Sequence, residues 1–353
     1  MDFLVRRDDL HETRIAESEA PALRSGEVLL GVDGFGLTTN NITYALMGDA
    51  MSYWQFFPAE DEWGRVPVWG FAEVAASEAD GVEEGTRVFG YLPPSSHLVV
   101  RPDRPSRTDF VDASPHRARL PGAYNRYLRT DGDATHDPER EDEQMLLWPL
   151  FFTSWLIDDF VCDEGFFGAK TAVISSASSR TSSALAHLLA QRDGIEVIGL
   201  TSPRNAEFTE GLGVYDRVVP YEEIESLKRG PAVYVDMSGD AKVRSAVHGH
   251  LADELKHSAA VGITHREELG GADDLAGPRP VFFFAPDRLR KRAEDWGPEG
   301  MNERIAAAWP PYVEWTGDWL EVVHDSGPGA IERIYLELLD GRSDPAVGHV
   351  LRP

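Results

Sequence analysis

Residues 170–204, KTAVISSASSRTSSALAHLLAQRDGIEVIGLTSPR, restrict the fold of this chain more than any other stretch. The run Ala172-Val173-Ile174 is too short for a helix and fits a buried parallel strand. Eight small or polar residues follow, and an Ala/Leu-rich segment from Ser183 to Gln191 has helical spacing. A second apolar run, Glu196 to Leu200, closes the unit. Strand, tight turn, helix and strand in this order form the first βαβ of a dinucleotide-binding sheet.

Such turns normally carry glycines. Here the G-x-x-G-x-x-G register holds Ser176, Ser179 and Ser182. Serine is small, caps helices and can donate its hydroxyl to a phosphate at a helix N-terminus, though it reaches φ > 0 less freely than glycine. Ser178 and Thr181 add hydroxyls to the same turn. A plain N-cap cluster without a ligand has the same composition. The second strand ends in Thr201-Ser202-Pro203-Arg204 with no acid, and Glu207 comes only later. Hydroxyls and an arginine at this place suit a ribose 2′-phosphate, where an acid would suit a 2′-hydroxyl. Arg180 offers a second cation at the same mouth. An ordinary pair of surface arginines is the alternative.

A chain of 353 residues suggests two domains. The one cysteine, Cys162, excludes a disulfide framework and a cysteine-based metal site. No apolar run reaches membrane-spanning length by inspection, and MDFLVRRDDL does not read as a signal peptide, so a cytoplasmic protein is expected. Sixty acidic against 34 basic residues would repel a phosphate backbone, which argues against nucleic acid as a partner.

Residues 1–103 read as β-rich. Glu27 to Val32 is a strand that Gly34-Phe35-Gly36-Leu37 should break. Thr38-Thr39-Asn40-Asn41 opens a helix that Gly48 ends. Val66 to Val74 is extended, and Gly85 to Tyr91 is a turn with a strand. In that order, Gly36 to Asn41 is similar to a "GLN-x-x-D" segment, Val66 to Val74 resembles "VPG-x-E-x-x-G-x-V", and Gly85 to Gly90 resembles "GDRVFG". Val233 to Gly239 resembles a "vDxxG" strand, Ala260-Val261-Gly262 an "lv-x-G" strand, and Ala330 to Pro353 a closing element with Gly348-His349 in place of Gly-Lys. Together these resemble the medium-chain dehydrogenase/reductase superfamily, in a serine-turn branch similar to DUF2855.

The resemblance implies an α/β architecture in which a GroES-like β-barrel domain (1–145, rejoined by 318–353) precedes a Rossmann doubly wound parallel sheet (146–317). It implies NADPH as cofactor, held by Ser176, Ser178, Ser179, Arg180, Thr181, Thr201, Ser202, Arg204, Ser238 and Gly262. Zinc-dependent members need Cys and His-Glu ligands, whereas this chain has Thr38 and Trp69-Gly70 near those places, so no metal is expected. The resemblance then points to zinc-free quinone oxidoreductases and enoyl reductases acting on an apolar enone, quinone or activated carbonyl. Asn41, Tyr44 and Tyr53 are the candidates beside the reacting atoms. The alternative is a non-catalytic cofactor- or ligand-binding protein that keeps the fold.

Residues 104–143 are rich in proline, glycine and charge and lack periodicity, which predicts a lid or an irregular excursion; its Tyr124, Asn125 and Tyr127 could line a pocket or anchor the segment. Leu146 to Phe160 reads as an interdomain helix. His248 and His250 read as surface residues without a ligand set. The apolar run Pro280 to Ala285 should be the sixth, edge strand of the parallel sheet, and an edge of that kind predicts a homodimer.

Overall fold

A computed structural model describes residues 1–17, 19–261 and 275–353. The chain forms two compact units, one of residues 1–148 with 320–353 and one of residues 149–319.

The first unit is mainly antiparallel β. Strands β1 (Asp2–Arg6), β2 (Thr13–Ala16), β3 (Val28–Leu37), β4 (Trp63–Gly64), β5 (Val68–Ser77) and β6 (Arg87–Leu92) appear in that order, with helix α1 (Thr39–Leu46) between β3 and β4. Strands β7 (His97–Val100), β8 (Pro102–Asp103), β9 (Asp109–Asp112) and β10 (Arg126–Arg129) follow. Strand β3 does not stop at Gly34. It runs to Leu37 with a register shift between Val32 and Gly34, because its glycines let β5 approach closely. A Cβ placed on Gly70 would stand 2.2 Å from the Gly34 carbonyl oxygen, so only glycine fits that crossing.

Residues 104–143 are more ordered than their composition predicts. Strand β10 pairs with β6 on one side and β9 on the other. Tyr127 is fully buried and its hydroxyl donates to the Tyr91 carbonyl at 2.8 Å. Four-residue strands are too short to show a period of two, and their pairing with β6 is non-local.

Helix α2 (Glu141–Asp163) carries the chain into the second unit. It is long and apolar enough to cross a membrane by length and composition, contrary to the reading of the bare sequence, yet 61% of its apolar window is buried inside the protein. The second unit contains β11 (Thr171–Ile174), α3 (Arg180–Leu189), β12 (Glu196–Thr201), α4 (Ala206–Gly211), β13 (Arg217–Pro220), β14 (Ala232–Asp236), α5 (Ala241–Leu251), β15 (Leu255–Ala260) and β16 (Val281–Phe282). The six strands are parallel in the order β13-β12-β11-β14-β15-β16. Counted from β11 this is 3-2-1-4-5-6, the doubly wound order whose direction of progression reverses between β11 and β14. Ala172, Ile174, Val197, Val233 and Val235 pack with Leu185 and Leu189 of α3 in one apolar cluster. Helix α6 (Ala285–Thr316) bends at Gly297, where φ is +69°. Strand β17 (Glu321–Ser326), helix α7 (Pro328–Leu339) and strand β18 (Val347–Arg352) return to the first unit, where β18 joins β3.

The run 280–285 does supply the last strand of the sheet, but β16 is only two residues long. Val281 and Phe284 are 53% and 43% exposed. Phe283 instead packs inward against Phe160 and the cluster beneath the sheet. His248 is not a surface residue. It is fully buried, with Nδ1 against the Ala276 carbonyl at 2.9 Å and Nε2 against the Ser258 hydroxyl at 3.0 Å.

Candidate functional site

In a doubly wound sheet, ligands bind beyond the carboxyl ends of the strands where the order reverses. Here those ends are the turn after β11 and the turn after β14. Ser175 joins them. Its buried hydroxyl donates to Asp236 Oδ1 at 3.0 Å and accepts the N–H groups of Met237 and Ser238 at 2.9 and 3.1 Å. Asp236 also accepts from the Ser238 hydroxyl at 2.9 Å and the Gly239 N–H at 3.1 Å, and pairs with the buried Arg244 at 3.3 Å.

The three serines in the glycine register have three different duties. Ser176 has φ +52°, the left-handed conformation that the first glycine of such a turn supplies. Ser179 is the N-cap of α3, and its hydroxyl accepts the Ser182 N–H at 3.2 Å. Ser182 is buried against the strand and donates its hydroxyl to the Ser175 carbonyl at 2.9 Å. Capping by Ser179 starts α3 at Arg180, three residues before the apolar periodicity begins.

Thr201 is buried and Ser202 half-buried at the end of β12, while Arg204 is exposed. The Ser178 hydroxyl lies 3.4 Å from that of Thr201 and accepts from Asn205 Nδ2 at 3.0 Å, so the serine turn and the β12 end form one surface. Arg180 and Thr181 open α3, and the Thr181 carbonyl accepts from Ser154 at 2.7 Å. Burial pushes the Arg180 guanidinium down to about 10, with Tyr312 acting in the opposite direction. Gly262 lies outside the described residues.

Sequence reasoning missed two tyrosines here. The Tyr221 hydroxyl accepts the Ser176 N–H at 3.0 Å, and Tyr215 donates to the Ala177 carbonyl at 2.8 Å. Both come from the β13 region, and a single tyrosine in a polar segment carries no periodic signal. Only the strand pairing brings them to the turn.

The first unit gathers Tyr44 and Tyr53, with Trp69, Tyr91, Tyr124 and Phe56 around them. Tyr44 and Tyr53 ring centroids are 4.7 Å apart, and Tyr91 and Tyr124 are also 4.7 Å apart. Trp69 Nε1 donates to the Tyr44 hydroxyl at 3.3 Å. The Tyr124 hydroxyl interacts with those of Tyr44 and Tyr53, and burial raises all three phenols above the usual tyrosine range. Phenols held up in this way remain hydrogen-bond donors at neutral pH. Tyr124 thus lines this cluster, while Tyr127 anchors its segment to the sheet.

Asn41 sits at the root of the same helix. Its Oδ1 accepts from the Thr38 N–H at 2.7 Å, and its Nδ2 donates to the Pro67 carbonyl at 2.8 Å. Both ends of the amide fix the start of α1, which turns Tyr44 toward Trp69. Among the described residues no group of three or more His, Cys, Asp or Glu converges on a metal-sized site.

The fold is shared with several solved structures. The crystal structure of CurA from Vibrio vulnificus in complex with NADPH aligns over 96% of this chain and 94% of its own, at 15% identity and a TM-score of 0.60. The yhdH oxidoreductase from Salmonella enterica in complex with NADP aligns over 100% and 99%, at 15% identity and 0.59. The quinone oxidoreductase from Coxiella burnetii aligns over 100% and 98%, at 12% identity and 0.56. At these identities the likeness establishes the fold. No curated protein sequence matches the chain. The model of the family described as "Protein of unknown function (DUF2855)" spans residues 35–344, and the chain belongs to that family.

Proposed function

We propose that this chain is an NADPH-dependent, zinc-independent oxidoreductase that reduces an apolar enone, quinone or activated carbonyl. The observation that carries the proposal is Ser176 at φ +52° at the head of α3, on the switch point of a 3-2-1-4-5-6 sheet. That backbone shape brings the turn close to a phosphate, which α3 then meets with its N-terminal end. CurA and YhdH, which share the fold, are crystallised with NADPH and NADP.

In this reading residues 149–319 are the nucleotide-binding domain, and the first unit is a GroES-like substrate domain. The turn residues Ser176, Ser178, Ser179, Arg180 and Thr181 face the pyrophosphate, with Ser238 supporting from the neighbouring turn. Thr201, Ser202 and Arg204 face the 2′-phosphate, and the exposed Arg204 has no competing carboxylate on its own strand end. NADPH supplies the hydride when bound. Tyr44 and Tyr53 hold and polarise the acceptor oxygen through their hydroxyls, with the Trp69 N–H fixing that of Tyr44. Asn41 positions Tyr44 by capping α1. The exposed Val281 and Phe284 at the sheet edge support a homodimer formed there, and the reading is of a cytoplasmic enzyme.

A specific observation favours a second reading, a ligand-binding protein without turnover. The Ser176 N–H is taken by Tyr221, and the Ser179 and Ser182 hydroxyls bond each other at 2.9 Å. A turn satisfied in this way has less to offer a phosphate. Stopped assays of NADPH oxidation with 2-cyclohexenone and 1,4-quinones separate the two: the reductase reading expects turnover, and binding of NADPH without turnover toward any acceptor selects the second.

A further inference from the structure

The aromatic cluster of the first unit also holds Tyr91. Tyr91 is fully buried, and its hydroxyl has no hydrogen-bond partner among the described residues. A buried hydroxyl left without a partner costs about 1–3 kcal/mol. The ring is wedged between Tyr124 at 4.7 Å, Trp69 at 5.1 Å and Tyr44 at 5.5 Å. The hydroxyls of Tyr44, Tyr124 and Tyr53 act on it electrostatically, and Arg117 acts in the opposite direction. Arg117 pairs with Asp112 at 3.1 Å, donates to the Tyr127 hydroxyl at 3.3 Å and stacks over Phe57 at 4.7 Å. Tyr53, Trp69 and Tyr124 are each half-buried, so the cluster has a rim open to solvent and a buried floor.

We propose that Tyr91 and Tyr124 complete an acceptor-oxygen site with Tyr44, Tyr53 and Trp69, in which the Tyr91 hydroxyl donates to the oxygen of a flat, neutral carbonyl or quinone ligand. The geometry favours this class for two reasons. The groups gathered are phenols, protonated at neutral pH, and an indole N–H that already donates to Tyr44, so the unpartnered Tyr91 hydroxyl is left as a donor to an oxygen that can only accept. The walls are aromatic faces and edges, which suit a planar ring. Tyr124 belongs to the 104–143 segment, so that segment sets which ligand fits. The inference rests on the proposed reductase reading for the role of the oxygen, but the binding itself does not require hydride transfer.

The test compares two probes of the same outline, 2,3-dimethyl-1,4-naphthoquinone and 2,3-dimethylnaphthalene. The methyl groups block addition of the Cys162 thiol to the quinone ring. Equilibrium dialysis without NADPH measures the affinity of the full-length protein for each. The wild type is expected to prefer the quinone. Tyr91→Phe should cut that preference about fivefold to tenfold, the worth of one hydrogen bond. Its hydrocarbon affinity should be unchanged and its melting temperature equal or higher, because the hydroxyl removed has no partner in the protein. Tyr124→Phe should lower the preference as well. An unchanged quinone preference in Tyr91→Phe overturns the proposal, and so does a wild type that binds both probes equally. If the wild type prefers the quinone through Tyr91 but never oxidises NADPH, the oxygen site stands and the reductase reading fails.

Discussion

Replacing Asp236 with alanine should unhinge the nucleotide turn. This carboxylate is fully buried at the end of β14 and is the meeting point of two turns. It accepts from Ser175, Ser238 and the Gly239 N–H, and it neutralises Arg244, which is only 4% exposed. Alanine would leave the buried guanidinium without its partner, a defect that costs about 3–5 kcal/mol. The loosened Ser175 and Ser238 donors add to this, though not additively, because all belong to one network. Set against a typical domain stability of about 5–15 kcal/mol, the loss is large. Urea unfolding followed by circular dichroism should show the midpoint falling by about 1–5 M, for a loss of about 3–5 kcal/mol and a slope of about 1–3 kcal/mol per M. Asp236→Asn, which keeps the shape and one acceptor oxygen, should fall between wild type and alanine. A midpoint for Asp236→Ala within about 0.3 M of wild type would refute the view that Asp236 ties the two turns together.

Other outcomes follow from the same structure. Arg204→Ala should weaken NADPH binding about tenfold or more and leave NADH binding nearly unchanged, since a charge-assisted bond to phosphate is worth about 1.5–3 kcal/mol; equal losses for both cofactors would remove Arg204 from the 2′-phosphate. Light scattering should return a dimer mass, and Val281→Lys with Phe284→Lys should yield a folded monomer; Phe283→Lys should lower the melting temperature instead, because that ring packs inward. Burial holds His187 down at about 4, against about 6.5 in an unfolded chain, so its neutral form is the one the fold accepts. Stability should therefore be full above about pH 6.5 and fall as the pH drops from there toward 4; His187→Gln should flatten that part of the stability–pH curve, and an unaltered curve would refute the assignment. With 60 acidic and 34 basic residues, the surface repels itself, and raising salt from about 0.1 to 1 M shortens the screening length from about 10 to 3 Å. The melting temperature should rise with sodium chloride, and a fall would contradict this.

The parts of this fold that are legible in sequence are those whose signal is local. The strand at Thr171–Ile174, the turn serines and the strand at Glu196–Thr201 lie within a few residues of one another, and their apolar runs and caps mark them. The register of Ser176, Ser179 and Ser182 could be read, but their separate duties could not. One serine adopts a left-handed backbone, one caps and one is buried, and those differences depend on Leu200, Tyr221 and the β11 carbonyls. Tyr91, Tyr215 and Tyr221 reach their sites through pairing between distant strands, so nothing in their neighbourhoods announces them, and Tyr124 could be singled out in its segment but not assigned to lining or anchoring. The continuation of β3 through Gly34 and Gly36 likewise depends on β5 and α2 packing against it: a Cβ on Gly36 would meet the Met145 carbonyl oxygen at 2.7 Å. Glycines that break a strand in isolation permit close packing here.

The central claim is that the serine turn still binds a dinucleotide and that the β12 end selects the phosphorylated form. Fluorescence titration of the purified protein with NADPH and with NADH tests it directly. The account predicts saturable binding of both with NADPH at least tenfold tighter, a gap of about 1.4 kcal/mol. Equal affinities, or no binding of either, would contradict it.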